Sequence, residues 1–65
     1  MGWFIMRTKE GKTELYTDCN VYLIGRWSES GLPHIYNKRR DAVWRMRIEQ
    51  EKDPSYSYEV NEFLR

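Results

Sequence analysis

The chain has 65 residues, eleven basic and ten acidic side chains, and a formal charge of +1, and a domain this short buries only roughly 60% of the surface its unfolded form exposes. That size leaves little room to enclose a substrate, and the near-neutral balance lacks the basic excess of a dedicated nucleic-acid binder. Its one cysteine, Cys19, excludes an intrachain disulfide and disfavours a Cys-based zinc site, so a reducing compartment fits best.

The N-terminal run Met1-Gly2-Trp3-Phe4-Ile5-Met6 meets Arg7 too soon for a secretory h-region or a membrane span. The expectation is a single domain over 1–65 in the cytoplasm, without membrane association. Gly2 invites N-myristoylation, but Met6 stands where that motif needs Ser or Thr.

Trp3 to Thr8 is apolar and β-prone, and Lys9-Glu10-Gly11-Lys12 supplies a glycine where a hairpin needs positive φ. Thr13 to Thr17 reads as the returning strand, and Asp18-Cys19-Asn20 as a turn. Val21-Tyr22-Leu23-Ile24 opens a third strand, with Gly25 a kink before Arg26-Trp27. Ser28 to Pro33 is an exposed loop. After the short extended piece His34-Ile35-Tyr36, Asn37 caps a helix from Lys38 to about Lys52, which Asp53-Pro54 ends. Tyr56 to Val60 alternates large and polar residues, the period of a half-buried strand. The fold class is α+β: a small antiparallel sheet in the order β-β-β-α-β with one helix packed across it.

On the helix, Ala42, Val43 and Met46 share one arc, Trp44 and Ile48 another, with Arg40 and Arg47 between them. Two readings stand. Either one broad face is buried under arginine stems, or Ala42, Val43 and Met46 hold the core while Trp44 and Ile48 meet a partner, Trp and Arg being enriched at interface hot spots. Lys38-Arg39-Arg40 at the helix N-terminus and Glu49, Glu51 and Asp53 at its C-terminus invert what the macrodipole favours, at about 0.3–1 kcal/mol for each exposed charge. Pairs four residues apart, Asp41 to Arg45, Arg45 to Glu49 and Arg47 to Glu51, return some tenths each. The basic turn reads either as an anion-binding patch or as a solvated helix end.

His34 is the only histidine, so a metal site lacks its ligands, and no cofactor is expected. Cys19 and His34 have the chemistry of a nucleophile and base, but no flanking signature or oxyanion loop supports catalysis. The four glycines are dispersed singly, which leaves nucleotide binding without a phosphate cradle. Tyr56, Tyr58 and Val60 suit either base stacking or packing on the helix. The acidic neighbours Glu59 and Glu62 favour packing.

The stretch Ile35-Tyr36-Asn37-Lys38-Arg39-Arg40-Asp41-Ala42, followed by a helix and Tyr58-Glu59-Val60, resembles a pattern of small phage- and prophage-encoded accessory proteins. The resemblance covers about half the chain, and it implies a non-enzymatic protein that binds and modulates a host protein, such as an enzyme or defence factor, in the host cytoplasm. The same segment also looks like the three-strand-plus-helix DNA-binding domain of some phage integrases. On that reading Arg7, Lys9, Lys12 and Arg26 form the surface that reads DNA; Glu10, Glu14 and the extra final strand fit it poorly. The expected partner is therefore a protein, with nucleic acid second and a homodimer left open. The expected contact residues are Arg40, Trp44, Arg47 and Ile48, with Trp27 and the 28–33 loop as a second patch.

Overall fold

The computed structural model describes residues 1–19, 24–29 and 32–64. They form strands β1 (Gly2–Lys9), β2 (Lys12–Cys19) and β3 (Ile24–Ser28), helix α1 (Arg39–Lys52) and strand β4 (Ser57–Phe63). The strands make one antiparallel sheet in the order β3-β2-β1-β4, and α1 packs against β1 and β4. This is the α+β architecture, in the element order, that the sequence indicates.

The β1–β2 hairpin closes through two residues of positive φ, Glu10 at 51° and Gly11 at 81°. Such a two-residue turn matches the right-handed twist of its strands and fixes their register. Lys9 accordingly faces Lys12, Arg7 faces Glu14 and Met6 faces Leu15. Beyond Leu15 the second strand turns to β3, pairing from Leu15–Ser28 to Cys19–Ile24. The chain at 34–36 fills the opening this leaves beside β1. There Trp3 and Tyr36 exchange backbone hydrogen bonds of 2.9 and 2.8 Å, and the His34 N–H donates to the Tyr16 carbonyl at 2.9 Å.

Two local expectations are corrected. A turn is expected to begin at Asp18, yet β2 continues through Cys19, because Asp18 and Cys19 pair with Gly25 and Ile24 and ladder bonds outweigh a weak local turn preference. Asn20, Val21, Tyr22 and Leu23, where the turn ends and the third strand is expected to open, lie outside the described residues. At the helix, Asn37 is not the cap. Lys38 is, with extended backbone at φ −130° and ψ 140° and no side-chain capping bond. The Lys38 carbonyl accepts from the N–H groups of Asp41 and Ala42 at 3.1 and 3.4 Å, so the helix starts one residue too late for Asn37 to serve it.

The other end is well held. The Asp53 N–H donates to the Glu49 carbonyl at 3.0 Å just before Pro54, and the Tyr58 hydroxyl donates to the Asp53 and Glu49 carbonyls at 2.6 and 3.3 Å. The Asp53 carbonyl, which lies past the last helical N–H, is thus satisfied from β4. Among the described residues Ile5, Tyr16 and Ala42 form the buried core, with Trp3, Trp27, Tyr36, Met46 and Val60 packed around them. Ala42 is fully buried, and its lack of bulk lets α1 settle onto β1. Among the described residues no helix is long and apolar enough to cross a membrane.

Candidate functional site

The core contacts orient the helix. Ala42 and Met46 turn toward the sheet, so residues half a turn away at 100° per residue turn outward. Arg40, Val43, Trp44 and Arg47, at spacings of three, four and seven, line one open groove of about 530 Å³ together with Arg39. Trp44 is 63% exposed, and the guanidinium of Arg45 lies 5.7 Å from its ring centroid. Of the two readings of this helix, the broad buried face fails at Trp44. Ile48 is half-buried and is not part of the groove lining. Lys38, Arg39 and Arg40 are all exposed around the uncapped first turn.

Trp27 is not brought to that surface. Its ring packs edge-on against Tyr16 and Tyr58, with centroids 5.1 and 5.8 Å apart, and its indole N–H donates to Glu49 Oε1 at 3.4 Å. Beside it lies Arg7, whose Nε donates to Glu14 Oε1 at 2.7 Å. The Arg7 guanidinium sits 4.3 Å from the Trp27 ring centroid and 3.9 Å from that of Tyr56. Burial works against its charge, but hydrogen bonds to Glu14 and Tyr58 and the charge of Glu14 prevail and raise its pKa. Arg7 thus acts as a bound cation inside an aromatic clamp made by its own chain.

Sequence reasoning missed this cluster, although a two-residue turn at Glu10-Gly11 already sets Arg7 opposite Glu14. Of Glu49's contacts it named only the spacing from Arg45 and missed the rest: the same carboxylate joins Trp27 to Arg45 at 3.8 Å and Lys52 at 3.4 Å. Of the three helical charge spacings, Arg45 to Glu49 is closed by this contact. Nearby, Asp53 accepts from the Ser55 hydroxyl at 2.6 Å and the Ser55 N–H at 3.2 Å. These two bonds, in that order, hold its carboxyl below the usual range. Burial, partly opposed by Arg7, pushes the Tyr58 hydroxyl up.

The His34 ring packs edge-on against Tyr36 at 4.5 Å between centroids, while the Cys19 side chain lies outside what is described. No group of three or more metal-ligating side chains occurs among the described residues. No protein-family model, curated protein or solved structure matches this chain. The reading of function therefore rests on the chemistry of its own surface.

Proposed function

We propose that this chain is a non-catalytic, phage-type accessory module that binds an acidic surface of a host protein through the outward face of α1 and modulates that protein by covering it. The observation that carries this reading is Trp44, a large aromatic 63% exposed in a groove whose cationic lining is Arg39, Arg40 and Arg47. Trp and Arg are the residues most enriched among interface hot spots, where an aromatic anchor fills a partner pocket and drives off water. Along a helix rising 1.5 Å per residue, Arg40 and Arg47 stand about 10 Å apart. They bracket the indole and suit carboxylates on either side of an apolar pocket.

The uncapped first turn supports the same reading. Lys38, Arg39 and Arg40 gather where the helix dipole already favours anions, at a cost in stability. A local rule broken in this way is expected at a working surface. Duplex DNA is the weaker fit, because Arg7, needed for a reading surface, is committed to Glu14 with only 14% of its side chain exposed.

Affinity capture from a host-cell lysate, with and without nuclease, tests the proposal. A protein retained after nuclease, and lost with Trp44→Ala or Arg47→Glu, is the expected result. Release of all bound material by nuclease would overturn it in favour of nucleic acid.

A further inference from the structure

The groove on α1 has a periodicity that restricts what can fill it. Arg40, Val43, Trp44 and Arg47 line it together with Arg39. Positions i, i+3, i+4 and i+7 are the four that, on a helix surface, border a hole able to receive one side chain of a facing helix. In this hole the two middle residues are apolar and the two outer ones are cationic.

Those cations are not used within the chain. Among the described residues, the ion pairs on α1 join Glu49 to Arg45 and to Lys52. Arg40 and Arg47 have no such pair, although Glu51 stands one turn beyond Arg47. Both residues are exposed, and no acidic side chain lines the groove. A complementary occupant therefore brings two carboxylates, with apolar atoms between them for Val43 and Trp44.

The separation of the cations, about 10 Å along α1, selects the form of that occupant. In a strand this distance is about three residues at roughly 3.3 Å each, which turns the two side chains to opposite faces. In a helix lying alongside it is seven residues, only about 20° short of two full turns, so both carboxylates stay on one face. A second copy of this chain does not fit. It would set arginines against arginines on α1, and no two of its acidic residues are seven apart in sequence. Duplex nucleic acid would answer the cations but leave Val43 and the indole without an apolar partner.

Building on the reading of α1 as a protein-binding face, we infer that the docked element is an acidic amphipathic helix. It carries carboxylates at i and i+7 and apolar side chains at i+3 and i+4, and it lies along the outward face of α1.

Fluorescence anisotropy of labelled, hydrocarbon-stapled helical peptides titrated with the full chain tests this. The probe carries Glu at i and i+7 and Leu at i+3 and i+4. Its isomer, of the same composition, has the second Glu moved to i+5, away from the shared face. The probe should bind about ten-fold more tightly than the isomer, and Trp44→Ala should remove that preference. Arg47→Glu should weaken the probe about ten-fold. Replacing one peptide Glu by Arg should restore its binding and replacing the other should not, which also gives the direction of the docked helix. If a variant fails to fold, the two isomers on the wild-type chain decide alone. Equal binding of the isomers, no binding of the probe, or equal binding of an unstapled peptide broken by a central proline would overturn the inference. So would a duplex oligonucleotide that occupies this face where the probe does not. A host protein captured by wild type and lost with Trp44→Ala, beside isomers that bind alike, would overturn the helix assignment and leave the protein-binding reading standing. Capture of a host protein that is indifferent to Trp44→Ala would overturn that reading and the helix assignment with it.

Discussion

Arg7 shows how much a single side chain can organise in a chain this small. It ties β1 to β2 through Glu14, to β3 through the Trp27 ring, and to the segment before β4 through Tyr56. Truncation to Ala removes two cation–π contacts and leaves Glu14, 22% exposed, without its counter-charge. The expected loss is about 2 kcal/mol, a fall in Tm of roughly 8–16 °C at this size. Arg7→Lys should recover little of it, because an ammonium cannot stack flat against both rings. Thermal melting of the two variants beside wild type checks this.

Tyr58 gives the pH dependence. Burial raises its folded pKa above the ordinary value near 10, so the folded state holds the phenol proton more tightly than the unfolded state does. The linked stability is fully present below the unfolded pKa and is lost as pH rises through the raised folded value. Melting temperatures should therefore decline on passing pH 10 into more alkaline solution. Tyr58→Phe should lower stability at pH 7 by about 1 kcal/mol, through the lost bonds to Asp53 and Glu49, and should flatten the alkaline decline.

At the scale of the element, the first turn of α1 is where local preference and structure part. Lys38 holds the cap position without a capping side chain, and Arg39 and Arg40 follow it. Lys38→Asp should add about 1 kcal/mol by capping the turn and complementing the dipole. The same change removes a cation from the proposed contact surface, so partner affinity should fall as the melting point rises. A Lys38→Asp variant that gains stability with undiminished binding would mark the basic turn as a solvated helix end.

The hairpin, the helix and β4 were legible because their signals are local: Gly11 in the turn, Asp53-Pro54 as a stop, alternation in Tyr56 to Val60. The start of α1 was misjudged because Asn37 has the right chemistry one residue too early. The persistence of β2 past Asp18 was illegible for a different reason. It depends on pairing with Gly25 and Ile24, which no local preference encodes.

At the scale of the whole molecule, Trp44 and Trp27 mark the limit of reading a surface from sequence. Both are Trp residues beside arginines, and both were expected at a contact surface. Periodicity could divide the helix into arcs, but only the sheet beneath shows which arc Ala42 and Met46 bury and so which one leaves Trp44 outside. Trp27 is claimed by Tyr16, Tyr58 and Glu49, partners brought in by β2, β4 and α1. These contacts cross the chain, and no spacing along it announces them.

The most direct measurement sets Trp44→Ala against Met46→Ala, with thermal melting and binding to the captured partner read on the same samples. Met46 packs on the core, so its truncation should cost about 2 kcal/mol of stability and lower Tm by roughly 8–16 °C. Trp44→Ala should melt within a few degrees of wild type yet bind roughly 30-fold more weakly, the loss of about 2 kcal/mol expected of an aromatic anchor. If Trp44→Ala instead melts as early as Met46→Ala, or binds as tightly as wild type, then the outward face of α1 is not the binding surface.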